Sequence, residues 1–324
     1  MRMTSLSLLT LATLLSGCGD DDEAIVNEPG SIAETAQATP SLSTLASAVQ
    51  FASDNDDLVS LLASPGTLTV FAPTDAAFDA LAVELTGTPG ATGADLLTAA
   101  GKPLLRSVLQ YHVLTSTVNA AGIPFGKPIT SAEGSVFKID TGSPPTITDG
   151  RNRLSKITTT DIETSNGVVH LIDKVLLPAD KNIVQTAQAL AAGSPGEFRI
   201  LVEAIVAADL ATTLSGPGPF TVFAPTDAAF AALLTELNVT KAALLADKPL
   251  LTKVLTYHVV SGRMFKVEVP VGARIRTVQT GTFSINTALD ITDARSRTSK
   301  IVGTDTLTSN GVIHVIDKVL LPAP

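Results

Sequence analysis

Cysteine is almost missing from this chain: Cys18 stands alone among 324 residues, so no internal disulfide can form. Each folded unit must therefore rest on its apolar core. Tryptophan is absent and aromatic residues reach only 4%, whereas hydrophobic residues make up 45%. Those cores are then packings of Leu, Val, Ile and Ala. Charge is scarce too, at 16%, which leaves Thr and Ser to supply much of the polar surface, as in many secreted β-rich proteins. Basic residues are in deficit, 22 Lys and Arg against 31 Asp and Glu, for a net charge of −9. That balance argues against a nucleic-acid partner, because phosphate backbones are bound by a basic face. After the N-terminus, no apolar run approaches the ~20 residues that a membrane-spanning helix requires.

What is present begins with an address. Residues 1–17, MRMTSLSLLTLATLLSG, carry a positive start at Arg2, a short apolar stretch from Leu6 to Leu15, and then small residues. That order is expected of a secretory signal peptide and is too short for a stable transmembrane helix. The lone cysteine follows at once, in Leu15-Ser16-Gly17-Cys18, which resembles the lipobox of bacterial lipoproteins. The resemblance implies acylation of Cys18 and a membrane partner reached through the lipid; several acyl chains make such an anchor stable. The acidic run Gly19–Glu23 is expected to be a solvated tether over 18–30. It also resembles the acidic export signal of some surface lipoproteins. The expected location is the cell envelope, anchored at the outer membrane, with the periplasmic or the outer face left open.

The body of the chain repeats itself. TVFAPTDAAF occurs at Thr69–Phe78 and again at Thr221–Phe230. LLRSVLQYHV at Leu104–Val113 matches LLTKVLTYHV at Leu250–Val259, and SNGVVHLIDKVLLPA at Ser165–Ala179 matches SNGVIHVIDKVLLPA at Ser309–Ala323. The offsets are 152, 146 and 144 residues, so two colinear copies differ by small length changes, chiefly the loop Thr86–Gly93 of the first. A period this long marks a duplicated globular domain rather than a solenoid. The boundary falls near Ala179–Lys181.

Each copy opens with a helical pattern, as in Ile183, Ala187 and Leu190 followed by Ile200, Leu201 and Ile205. An apolar β run, Phe220–Phe223, ends at Ala224-Pro225, and Thr226-Asp227 supplies N-cap chemistry for a helix. A Leu-rich helix carries Leu250, Leu251, Val254, Leu255 and His258. The last third turns to strands, with Phe283/Ile285, Ile291, Ile301 and the run Val312–Leu320, and with Ser309-Asn310-Gly311 as a hairpin turn that tolerates positive φ. Helices first and strands later predict an α+β fold.

The three repeated blocks, in this order and twice over, resemble the fasciclin (FAS1) domain. The resemblance covers residues 31–178 and 182–322. It implies two tandem domains, each a wedge-shaped β-sandwich of about seven strands packed against a cluster of helices. It further implies adhesion or binding to matrix, polysaccharide or other surface proteins, with no cofactor and no enzymatic activity. An RGD motif is absent, so no receptor is implied.

The chemistry-bearing residues also fall in matched pairs: Asp75 with Asp227, Tyr111-His112 with Tyr257-His258, and His170 with His314. A hydrolase would need a serine activated by a base that a third group orients, and no G-x-S-x-G elbow is present. A closed zinc site would lack cysteine. The residues themselves favour packed, hydrogen-bonded histidines, with Asp75 capping its helix and accepting a bond from His112, and Asp227 and His258 doing the same. A basic turn recurs as DGRNRLSKI and DARSRTSKI, placing Arg151, Arg153 and Lys156 against Arg295, Arg297 and Lys300. That trio suits capture of carboxylate or sulfate groups on an acidic polysaccharide; the plainer reading is a solvated hairpin whose arginines pair with nearby Asp. Arg274 and Arg276 alternate outward on an expected strand and would extend such a surface. Three roles remain open at this point: a surface-binding module, an envelope hydrolase with a site near the Tyr-His motif, and a purely structural envelope protein.

Overall fold

The computed structural model describes residues 29–324 apart from 56, 99, 100 and 195. The signal peptide, Cys18 and the acidic run lie outside the described residues. The first copy contains α1 (Ile32–Ala38), α2 (Ser43–Ala52), α3 (Asp57–Ala63), β1 (Leu68–Pro73), α4 (Asp75–Thr86) and α5 (Lys102–Tyr111). Six further strands follow: β2 (Val113–Leu114), β3 (Pro128–Thr130), β4 (Val136–Asp140), β5 (Thr146–Thr148), β6 (Leu154–Thr164) and β7 (Gly167–Ile172). The second copy repeats the order with α6 (Ile183–Ala192), α7 (Arg199–Ala207), α8 (Ala211–Ser215), β8 (Phe220–Pro225), α9 (Asp227–Leu237), α10 (Lys241–Ala246) and α11 (Lys248–Tyr257). Its remaining strands are β9 (Val259–Ser261), β10 (Arg274–Arg276), β11 (Thr282–Ile285), β12 (Asp290–Thr292), β13 (Thr298–Thr308) and β14 (Gly311–Ile316).

Local chemistry sets the helix starts. Ser31 and Glu34 form a reciprocal capping box on α1, and Asn182 with Gln185 does the same on α6. Gly30, placed in the expected tether, already accepts a 3.0 Å bond from Ser165 N–H and so belongs to the fold.

Both copies have the strand order β2-β1-β7-β6-β5-β4-β3, or its equivalent in β8–β14. The central β1·β7 pair is parallel over six residues and the others are antiparallel. The order cannot be a flat sheet. Four strand spacings separate β1 from β4, about 19 Å, yet the rings of Phe71 on β1 and Phe137 on β4 sit edge to face at 5.4 Å. The halves therefore face one another, and the eleven-residue β6 runs through both. It pairs β5 at Leu154–Lys156 and β7 at Ile157–Thr164. This is the expected sandwich, with the helices on its outer face.

Strand alternation then makes two cores per copy. Val70 and Ala72 of β1 and Val169 of β7 face the helices, packing with Leu45, Val49, Phe78 and Leu105. Phe71 and Ile172 face inward, with Tyr111, Ile129, Phe137, Ile139 and Ile147 between the two halves of the sheet. The second copy reproduces both cores around Phe230 and Phe223 respectively.

Two expectations need correction. The apolar run Val312–Leu320 is not one strand: β14 stops at Ile316, and Leu320 N–H leaves the ladder to reach a histidine. Ser309-Asn310 does form the hairpin turn, but neither residue has positive φ. Asn310 instead works through its amide, donating to Leu214 O and Gly216 O and accepting Ile183 N–H. Gly311 is needed because a Cβ there would lie 2.1 Å from Phe220 O of the parallel neighbour.

Candidate functional site

Four buried histidines occupy two kinds of place. His112 ends α5; its Nδ1 bonds Val108 O at 2.7 Å and its Nε2 accepts Leu176 N–H at 2.8 Å. His258 repeats this with Val254 O and Leu320 N–H at 2.8 and 2.9 Å. A ring that accepts at Nε2 and donates at Nδ1 is neutral. Burial, the dominant cause, lowers each to about 4. These rings fasten the C-terminal segment of each copy to the end of its helix. Neither nitrogen is left to act as a base.

The strand histidines use the opposite tautomer. His170 accepts Asp161 N–H at Nδ1 (3.2 Å) and donates from Nε2 to Val118 O (2.9 Å). His314 does the same with Asp305 N–H (3.3 Å) and Met264 O (2.8 Å), and burial lowers its pKa. Asp161 and Asp305 sit in bulges of β6 and β13 with φ of 57° and 59°. Each carboxylate then accepts one further backbone N–H, from Ala120 and Lys266.

The neighbouring tyrosines are equally committed. Tyr111 donates to Val136 O and Tyr257 to Thr282 O, both at 2.7 Å. Burial raises both phenols, Tyr257 to about 12.

Asp75 and Asp227 do not meet the histidines. Each starts its own helix but caps a different one: Asp75 accepts Thr44 N–H at 2.8 Å, and Asp227 accepts Ile200 N–H at 2.9 Å, in the first turns of α2 and α7. In the second copy the residue capping α9 is Thr226, whose hydroxyl accepts Ala229 N–H. The expected Asp–His bond fails because both ring nitrogens of His112 and His258 are already committed, one to the preceding helical turn and one to the C-terminal segment, while each aspartate is held by the first turn of a neighbouring helix.

The basic turns are organised by the aspartate that opens each of them, so the plainer expectation, arginines paired with a nearby Asp, holds for Arg153 and Arg297. Asp149, 1% exposed, accepts N–H groups of Arg151 and Arg153 at Oδ1 and Leu177 N–H at Oδ2. Arg153 returns from its Nε to Asp149 at 3.0 Å, and also reaches Glu84 and Val175 O. Asp293 and Arg297 repeat the arrangement with Leu321, Glu236 and Val319. Recurrence of D-x-R-x-R in both copies was the available signal. Arg153 and Arg297 are thus internal clamps, so the six cations do not form one free patch. Lys156 and Lys300 are exposed on the following strands. Arg151 and Arg295 remain at the surface of the turn, Arg151 paired with Asp180 at 3.2 Å. Arg274 and Arg276 flank buried Ile275 on the edge strand β10, and Arg274 shares a polar depression of about 330 Å³ with Ala294 and Ser296.

Apart from Asp305, the two copies touch through residues that the repeat does not share. Val136 packs on Phe265 and Leu307. Lys138 pairs with Asp305 at 3.3 Å, the acid being 4% exposed. Asn152 exchanges two bonds with the backbone of Leu307, at 3.0 and 2.6 Å. Among the described residues no group of three or more His, Cys, Asp or Glu is placed to hold a metal, and no helix is long and apolar enough to cross a membrane.

A duplicated sandwich with a helical layer, a histidine-fastened terminus and a carboxylate-braced arginine turn defines a tandem-domain protein of one class. The Fasciclin domain family matches residues 40–178 and again 196–322, and the chain belongs to that family. Rabbit (Oryctolagus cuniculus) transforming growth factor-beta-induced protein ig-h3 is 30% identical over 259 residues, 80% of this chain and 35% of that protein. The chain thus spans about a third of that relative. Protein sll1483 of Synechocystis sp. is 40% identical over 151 residues, 46% of this chain and 79% of that protein. Among solved structures, a FAS1 domain pair from the insect cell adhesion molecule fasciclin I matches with 17% identity and a TM-score of 0.42, covering 87% of this chain and 97% of that one.

Proposed function

We propose that this protein is a lipid-anchored envelope protein that binds a matrix protein, polysaccharide or another surface protein through its two fasciclin domains. The observation that carries the reading is the double match to the fasciclin family across most of the chain. The geometry supports it from another side. Every histidine has both ring nitrogens tied to backbone, so the Tyr-His motif offers no free base for hydrolysis. Two domains on one anchor turn a second weak contact into an intramolecular one and raise avidity.

The full chain lacking its acyl groups should be retained on a subset of an envelope-protein and glycan array, and each domain alone should be retained less. Equal retention by one domain and the pair would remove the avidity argument; no retention on any surface would overturn the binding role. The anchor is tested apart. Cys18→Ala should abolish incorporation of labelled acyl chains, and protease shaving of intact cells should digest the wild-type protein if it faces outward.

A further inference from the structure

Both copies contain the same unfilled apolar space. In the second, Phe230, Leu233, Leu251 and Val254 enclose about 210 Å³ beside α9, α10 and α11. In the first, Phe78, Leu81, Leu105 and Val108 enclose about 200 Å³. These are the same positions, displaced by 152 and 146 residues. The entrance is apolar as well: Leu85 and Leu104 are 52% and 54% exposed, Leu237, the counterpart of Leu85, is 37% exposed, and Leu250, the counterpart of Leu104, is half-buried. Both copies keep leucine at these entrance positions, more exposed in the first copy than in the second, around a space they do not fill.

One cation stands at each rim. Arg151 lines the first cavity and Arg295 the second. They are the arginines of the basic turns that the buried aspartates do not clamp by side chain. Arg151 Nε is buried without a hydrogen-bond partner. Arg295 donates from Nε to Pro322 O at 3.0 Å and has no carboxylate within ion-pair distance among the described residues.

We propose that each cavity binds a small amphiphile, an apolar chain with a carboxylate head, the chain filling the space and the head lying on Arg151 or Arg295. Size, polarity and charge converge on that class. A sealed leucine- and phenylalanine-lined cavity of about 150 Å³ takes benzene; these spaces are larger and open to one side, and suit a chain of about six to eight carbons whose head lies at the mouth. A guanidinium presents paired N–H donors in the plane that a carboxylate needs. The second site is the tighter one, because Arg151 already faces Asp180 and the first cavity also has Asp95 in its lining. This inference does not rest on the adhesive role.

Octanoate titrated into the full chain, followed by methyl NMR, tests it. The Val254 methyl signals should shift saturably, and those of Val108 should follow at several-fold higher concentration. Arg295→Gln should weaken octanoate at the second site about tenfold while leaving octanol binding there unchanged. Leu104→Glu, at an exposed position, should remove the first site and spare the second. Octanol binding as tightly as octanoate to the wild type would overturn the proposal. So would non-saturable shifts spread over the chain, or saturable binding that leaves Val108 and Val254 unmoved.

Discussion

The two copies build one backbone plan from matched residues, yet the surfaces by which they touch are chemical opposites. Val136, Phe265 and Leu307 make the apolar contact between them. At the matching positions of the other copy stand Thr282, Asn119 and Glu163, of which Asn119 and Glu163 are exposed. Asp305 shows the same divergence. Its counterpart Asp161 makes the same histidine contact, but only Asp305 gains a lysine, Lys138, whose own counterpart is Ser284. A head-to-tail contact between repeats would propagate into a filament if both copies carried both faces. Here the outward faces are polar, and the contact is used once.

The largest expected effect tests what the copies share. Asp293→Ala leaves the backbone N–H groups of Arg295, Arg297 and Leu321 without their acceptor and Arg297 without its buried partner, and should cost about 3–5 kcal/mol in denaturant unfolding. Asp149→Ala should cost at least as much, since Arg153 lies nearer its acid, at 2.9 Å against 3.6 Å. Next comes the face that differs. Leu307→Glu, which installs the first copy's residue, should cost about 3 kcal/mol and uncouple the melting of the two copies in calorimetry. Glu163→Leu, at an exposed position, should stay within about 0.5 kcal/mol; a cost similar to that of Leu307→Glu would show that the contact is not what separates them.

Acid should act alike on the two helix-end histidines. The unfolded imidazoles of His112 and His258 take up protons near 6.5, the folded rings only near 4. The unfolded state therefore binds more protons in that window. Stability is full above about pH 6.5 and falls as pH drops toward 4. Between pH 7 and 5 the loss should be about 2 kcal/mol per copy, read as a lowered Tm that His258→Gln relieves in one copy. The smallest loss expected from a contact the copies share is that of Asp227→Ala, about 1 kcal/mol for the lost cap on α7, matched by Asp75→Ala on α2. An unchanged Tm for both would remove the capping role.

Much of this was legible in the chain. Repetition at fixed offsets identified the domains, and period-two and helical patterns located most elements. What escaped has tertiary causes. Asp75 and Asp227 read as caps and are caps, but of helices about thirty residues away in sequence, which no local pattern reveals. The histidines read as packed and hydrogen-bonded, but each also bonds a backbone group distant in sequence: the C-terminal segment for His112 and His258, and a loop about fifty residues earlier for His170 and His314. The pairing of the turn arginines with a nearby Asp was legible too, but not that this Asp is buried and also holds the backbone of the C-terminal segment. The copy-to-copy contact lies outside the repeated blocks, and all of its residues but Asp305 differ between the copies.

The placement of Asn166 gives the first domain a mechanical direction. Its side chain holds Ile32 N–H at the start of α1, and it sits immediately before β7, while the chain leaves the domain beyond the far end of that strand. A pull between residues 31 and 178 therefore runs lengthwise along β7. That strand is hydrogen-bonded on one side to β1 in a parallel six-residue register and on the other to β6. Load arriving along this line bears on both ladders together, in shear, rather than peeling them open one bond at a time.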